Sequence, residues 1–484
     1  MSQANKFFMN PALFITGMPF RLDASKPRRR RPSINSVPSR ALRLTGFEGW
    51  VSHKACRLLL ACALMLLVAC SSRPPLPSQE DQQEKLSEIL SNGGYKTARN
   101  FPVDVTHDVW IYQQTELEVE LVGPSAPGSY PLIIYLPSLG EDAKAGRLWR
   151  ETWAKAGYLV FSMQPMPVSQ ALKALEAERR FDDPEEIPDD ENAELADENM
   201  ALRPEPADGG WFGDKPRRQS RTARESELRY VGHQYFGMEN LKTRLAQLFW
   251  AYAQLQTRAG LRQALYASAD FSKVILAGYD LGAQTVTAAL GENFGSGLPR
   301  GDQLKPVAAM VLSPSVDLAE GNVRSRFQAL RLPMLTITGS EDNDPYAISS
   351  AAVRTAVWEQ APAGGKYLLL LRGAGHRLLS GNELGGRFGL SGVRRGDFGM
   401  DSGGGPGGHS GGGRRGMSGG GAGGGLFGKT ERRDPNLGYK QVAAIASVSS
   451  AFLDMLIKKD EFAQAWLNEK AGKWLDRAGT LQTR

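Results

Sequence analysis

Six short, predominantly apolar runs constrain this chain more than any other feature: Pro131 to Leu136, Tyr158 to Ser162, Lys273 to Ala277, Ala308 to Leu312, Met334 to Thr338 and Tyr367 to Leu371. A strand with water on one face alternates apolar and polar residues, whereas a strand covered on both faces reads as an unbroken apolar run. Helical patterns lie between several of these runs. Trp149 to Ala156 ends at Gly157, and Leu241, Leu245, Leu248, Phe249 and Tyr252 recur at helical spacing between Glu239 and Gln256. Strand, loop, helix, strand predicts an α/β fold with a mostly parallel central sheet flanked by helices. Ahead of it, Val103 to Ile111 and the alternating Glu116 to Val122 predict an antiparallel opening hairpin.

The 484 residues are not uniform. Residues 1–50 form a basic leader, 51–70 a signal-like segment and 71–99 a tether. The domain occupies 100–384 with an acidic insert at 170–225, a glycine- and arginine-rich insert spans 385–436, a closing helix spans 437–470, and 471–484 form a tail. Both inserts lack the apolar content to form a core, and disorder is expected there. About 300 residues remain as one foldable domain. The net charge of +6 sits largely in the leader and the glycine tract rather than on the periodic segments, so no nucleic-acid partner is expected. The acidic insert lacks the spaced ligands and tight glycine turn of a hard-cation loop. All three cysteines, Cys56, Cys62 and Cys70, lie within 51–70, which excludes disulfides and cysteine metal sites from the domain. No metal or cofactor is expected.

His53, Lys54 and Arg57 precede an apolar run from Leu58 to Ala69 that is too short to span a bilayer and suits a signal-peptide core. It ends Leu67-Val68-Ala69-Cys70, which resembles the bacterial lipobox. The resemblance implies that Cys70 becomes the lipidated first residue and holds the protein to a membrane of the bacterial envelope, facing the periplasm or the exterior, with the outer membrane favoured. Because signal peptides do not carry so long a leader, translation is expected to start at Val51.

The polar groups of interest fall just after the apolar runs, at the carboxyl edge where parallel sheets bind ligands. Gly278-Tyr279-Asp280-Leu281-Gly282 joins a strand to a helix, and the flanking glycines permit a sharp turn that exposes the central side chain above the helix N-terminus. Of the five histidines, His53 lies in the signal and His409 in the glycine tract. His107 takes a polar position on an early strand, and His233 has the option of lining a pocket. His376 alone ends a buried strand in a glycine-rich turn.

These segments resemble the α/β-hydrolase superfamily, within it dienelactone hydrolases and platelet-activating-factor acetylhydrolases, over residues 100–165 and 225–380 and the closing helix. The segment Leu335 to Pro345 resembles the family's acid loop, implying Asp342 as triad acid, and Tyr367 to His376 resembles its histidine strand. The resemblance further implies an oxyanion hole from the N–H of Leu281 and that of Ser138 or Leu139. The chain departs from the pattern at the elbow, where Asp280 stands in place of serine, and at Pro137-Ser138, where His-Gly is usual. A carboxylate attacking an ester would give a mixed anhydride. At a saturated carbon it gives an ester that histidine-activated water can hydrolyse, as in the superfamily's haloalkane dehalogenases and epoxide hydrolases. Against those branches, Leu281 replaces the tryptophan that commonly follows the aspartate. Tyr230 and Tyr235 are candidates to polarise an epoxide oxygen, or else packing residues. Two expectations stand: a lipid-anchored hydrolase using Asp280, Asp342 and His376 on a small or lipid-like substrate, or a noncatalytic envelope domain that binds a ligand or partner.

Overall fold

The computed structural model describes residues 78–173, 214–295, 297–382 and 436–484. The leader, the signal-like segment with Cys70, the acidic insert between 174 and 213 and the glycine tract lie outside the described residues, as do the expectations that rest on them.

Every apolar run becomes a strand of one nine-stranded sheet. Strands β1 (Val103–Tyr112) and β2 (Thr115–Pro124) form the antiparallel hairpin, β3 (Tyr130–Leu136) and β4 (Leu159–Pro165) follow, and β5 (Ala269–Tyr279), β6 (Pro306–Leu312), β7 (Met334–Glu341), β8 (Lys366–Gly375) and β9 (Gly479–Thr483) complete it. Their spatial order is β1-β2-β4-β3-β5-β6-β7-β8-β9. The five pairings from β4 through β3 to β8 are parallel, while β1, β2 and β9 attach antiparallel at the edges.

Unbroken apolar runs have the expected cause, two cores on opposite faces. Ile133 and Tyr135 of β3, with Ile275, Ala277 and Tyr279 of β5, enter one core, and Leu132, Ile134, Leu136, Val274 and Leu276 enter the other. Helices α2 (Arg147–Lys155) and α6 (Leu437–Leu453) cover the first core, contributing Trp149, Trp153, Ile445 and Phe452. Helices α4 (Met238–Gly260) and α5 (Leu281–Ala289) cover the second through Leu248, Tyr252, Leu255 and Val286. Each such side chain contributes about 1.5–3 kcal/mol by leaving water. The helical stretch Leu437–Lys458 is long and apolar enough to cross a membrane, but it is 78% buried inside the domain and serves as a core helix. Helix α3 (Asp214–Phe236) leads into α4 through Gly237.

Several segments differ from expectation, among them residues 214–225, expected as the disordered end of the acidic insert, which begin α3. Within the supposed tether, Gln79–Ser91 forms α1, opened by a reciprocal capping box between Ser78 and Asp81; Leu86 of α1 packs on the core. The supposed tail supplies β9, whose ladder with β8 runs from Tyr367↔Thr483 to Leu371↔Gly479. The closing helix itself gives way after Leu453 to a series of short helical segments reaching Leu475.

Candidate active site

Strand β5 passes into α5 through a single residue, Asp280, at φ 50° and ψ −105°. A non-glycine residue there carries strain of order 1–3 kcal/mol. The turn closes because its neighbours have no side chains: a Cβ on Gly282 would stand 1.9 Å from the Leu136 carbonyl oxygen, and one on Gly278 2.5 Å from the Gly282 carbonyl group. The Asp280 N–H is tied to the Leu312 carbonyl at 3.0 Å, which fixes the turn to β6. The Asp280 side chain does not cap α5.

That side chain is 1% exposed. Its Oδ2 accepts from the Ser138 hydroxyl at 2.7 Å and lies 3.8 Å from His376 Nε2. Its Oδ1 stands 3.9 Å from Arg354 Nη1 and has no hydrogen-bond partner among the described residues. Beyond the histidine, Nδ1 meets Asp342 Oδ1 at 2.8 Å. Asp280, His376 and Asp342, drawn from three separate strand ends, therefore come together in one line. Tyr279 steadies the ring, packing against it in a tilted arrangement at 5.1 Å and donating to the His376 carbonyl at 3.0 Å.

Asp342 is fully buried and saturated with donors. Ser313 Oγ lies 2.7 and 2.8 Å from its two oxygens, Thr338 Oγ1 donates at 2.7 Å, and Arg354 Nε lies at 3.2 Å. Arg354 is itself fully buried, donating to the carbonyls of Asp342, Ser313 and Pro314 at 2.7, 2.7 and 3.0 Å. Its remaining nitrogen lies 3.6 Å from Asp344, whose carboxylate organises the following loop through the N–H groups of Tyr346, Ile348 and Ser349.

These contacts set the protonation states. Burial pushes the His376 imidazole down, but the carboxylates of Asp280 and Asp342 outweigh it and hold the ring up to about 9. Burial raises Asp342, yet His376, Arg354 and Thr338 together keep it below the ordinary carboxylate range. Asp344 is raised, by burial and by the nearby Asp280 charge. The free site thus holds an imidazolium between two aspartates.

The loop after β3 departs from expectation. The Ser138 N–H, expected as an oxyanion donor, is instead given to Glu141 Oε2 at 2.9 Å, and serine contributes its hydroxyl to Asp280. Leu139, the other residue expected there, packs with Leu281 and Tyr346 in a small apolar cluster. The partly buried Glu141 also accepts from Asn382 Nδ2 at 2.7 Å, and burial pushes its carboxyl up to about 7.

Tyr230 is 72% exposed and Tyr235 donates to the Pro167 carbonyl at 3.1 Å. His107 and His233 are exposed. Among the described residues no three His, Cys, Asp or Glu side chains are grouped as a metal ion would require. A small cavity is lined by Pro137, Gln164, Arg244, Gln247, Gly282 and Thr285. Burial lowers Arg244 there to about 9.

Sequence reasoning missed Ser313, Arg354 and Glu141. Ser313 directly follows a buried strand, the position that marked the other site residues. Arg354 is a lone cation in the run Ala351-Ala352-Val353-Arg354-Thr355-Ala356-Val357, a context that favours a buried, paired guanidinium. Glu141-Asp142 reads as a solvated loop and carries no such signal. No family model and no curated protein matches the chain.

Proposed function

We propose that this domain is an α/β-hydrolase-fold enzyme in which Asp280 attacks an electrophilic saturated carbon and forms a covalent ester. The observation that carries the reading is the carboxylate itself: buried on a strained turn, one oxygen without a hydrogen-bond partner among the described residues, beside a histidine paired to a second aspartate. The strand order, with an antiparallel β2 and parallel strands through β8, supports the hydrolase fold.

The electrostatics support a division of labour in time. At rest His376 is protonated and unfit as a base. When Asp280 oxygen attacks carbon, the leaving group departs with the bonding pair and the Asp280 charge is consumed in the ester. The 3.8 Å partner that raised His376 is then neutral, so the ring's affinity for a proton falls toward the working range of a general base and it releases its proton to solvent. Neutral His376, oriented by Asp342, takes a proton from water. The resulting hydroxide adds to the ester carbonyl, with the Leu281 N–H at the uncapped start of α5 facing the oxyanion. Collapse breaks the acyl C–O bond, the alkoxide takes the proton held by His376 and leaves as alcohol, and the Asp280 carboxylic acid passes its proton to His376, which restores carboxylate and imidazolium. Lipidation at Cys70 would hold this domain to a membrane of the bacterial envelope, next to small or lipid-like substrates.

A second reading, a noncatalytic binding domain, is favoured by the near-complete burial of Asp280 and its pairing with imidazolium. The discriminating experiment is a turnover screen over short and medium-chain epoxides and haloalkanes. The enzyme reading expects turnover in wild type and at least a 10³-fold loss in Asp280→Asn, as for removal of a covalent nucleophile. Absence of turnover across the panel, or equal turnover in the variant, would support the binding domain instead.

A further inference from the structure

The site contains a second carboxyl group that the ester chemistry described so far does not use. Glu141 and Asp280 are held by the same residue: the Ser138 N–H donates to Glu141 Oε2 at 2.9 Å, and the Ser138 hydroxyl donates to Asp280 Oδ2 at 2.7 Å. One serine therefore hydrogen-bonds both carboxyl groups. Unlike Asp280, Glu141 is only partly buried. Asn382 fixes its other oxygen at 2.7 Å, and Gln164 locks the loop by donating to the carbonyls of Ser138 and Glu141 at 2.6 and 3.0 Å. The glutamate also occupies the backbone donor that an oxyanion would need, so a leaving oxygen arriving beside Ser138 meets a carboxyl group rather than an N–H.

Resting on the reading of Asp280 as nucleophile, we infer that Glu141 is the proton donor to the leaving oxygen, which makes the preferred substrates strained cyclic ethers rather than alkyl halides. A departing halide is stable without a proton. A departing alkoxide is not, and general acid assistance there is worth typically 10²–10⁴-fold. The step balances: an Asp280 oxygen forms a bond to an epoxide carbon, the carbon–oxygen bond of the ring breaks toward oxygen, and that oxygen takes the Glu141 proton. The product is a hydroxyalkyl ester beside a Glu141 carboxylate. Ester hydrolysis releases a diol and one proton, which restores Glu141. The groups facing Glu141 bring its acid form into the neutral range, at about 7: burial and the Asp280 charge raise it, against the Ser138 and Asn382 hydrogen bonds and the charge on His376.

The test uses His376→Gln, in which the ester should accumulate, and reads alkylation of the Asp280 peptide by mass spectrometry with 1,2-epoxyhexane or 1-iodohexane. Adding Glu141→Gln should slow epoxide alkylation at least 100-fold and leave iodide alkylation within about threefold. With Glu141 present, the epoxide rate should fall as pH rises through the Glu141 titration, which lies above about 7 once the His376 charge that lowers it is gone, while the iodide rate shows no such step. An equal effect of Glu141→Gln on both reagents, or on neither, would overturn Glu141 as the donor while leaving Asp280 as nucleophile. Absence of any Asp280 adduct with Glu141 intact would overturn the nucleophile reading, and the proton donor with it.

Discussion

Two buried aspartates, each 1% exposed, sit in this domain under opposite conditions. Asp454, at the end of α6, has ordinary helical backbone angles and a full set of donors: Tyr95 to Oδ2 at 2.8 Å, with Tyr158 and Lys458 to Oδ1 at 2.9 and 2.7 Å. Asp280 has a left-handed φ, one hydroxyl donor and an oxygen without a partner among the described residues. Burial is the same, so burial alone does not separate architecture from chemistry. What separates them is satisfaction: a buried carboxylate with both oxygens engaged ties elements together, here the segment after α1 to α6, whereas a strained and under-satisfied one has bonding capacity left for a ligand.

Mutations can break this comparison. The largest effect should come from Arg354→Leu, which removes three carbonyl contacts and leaves Asp280, Asp342 and Asp344 without their shared cation. Breaking a buried pair costs about 3–5 kcal/mol; denaturant titration should find at least that loss, and a loss below 1 kcal/mol would remove Arg354 from the centre of the site. Asp454→Ala should cost a similar 3–5 kcal/mol while the activity of the folded fraction is unchanged. A specific loss of activity there would dissolve the distinction between the clusters.

Asp280→Asn should behave in the opposite way, abolishing chemistry with a stability change within about 1 kcal/mol, because one of three carboxylates around two cations is neutralised. It should also change the pH dependence. His376 is raised from 6.5 to about 9 on folding, so its contribution to stability is fully present below pH 6.5 and is lost as pH rises through about 9, on the order of 3 kcal/mol at most. In Asp280→Asn that decline should shrink, and the His376 ring resonance should titrate closer to 6.5. An unchanged midpoint would mean that Asp280 does not govern the histidine. The smallest effect is expected of Asp280→Ser. It restores a serine beside His376, but with the Ser138 N–H engaged by Glu141 an oxyanion donor is missing, and one such donor is worth about 10²–10³-fold. Only weak hydrolysis of activated esters should appear, and Glu141→Gln should not suppress it. Robust esterase activity would show that the Ser138 loop re-forms an oxyanion hole.

The same distinction explains what the sequence discloses. Strands β3 to β8 were legible because burial on both faces writes itself as an unbroken apolar run, and Asp280, Asp342 and His376 because each closes or follows such a run. Strand β9 was not: Gly479-Thr480-Leu481-Gln482-Thr483 has a single large apolar residue, and its pairing is dictated by the open edge of β8. Helix α1 was missed because its sequence is mostly charged and amide residues, with the Ser78–Asp81 capping box as its only strong signal. Glu141 was illegible for a different reason. Its role depends on Ser138, Gln164 and Asn382, the last 241 residues away in sequence, meeting at one point. Local pattern carries secondary structure and burial. It does not carry which loop carboxylate the topology turns inward.

The account rests on Asp280 forming a bond to substrate, and oxygen isotope transfer measures that directly. Wild-type enzyme turning over a short terminal epoxide for many cycles in H₂¹⁸O should acquire ¹⁸O in the Asp280 carboxylate, detected as a mass increase confined to the peptide containing Gly278 to Gly282. Hydrolysis of the ester at its carbonyl carbon leaves solvent oxygen on the aspartate in each cycle. Diol that carries the label while Asp280 stays unlabelled would mean that water attacks the substrate without a covalent intermediate, and would contradict the assignment of Asp280 as nucleophile.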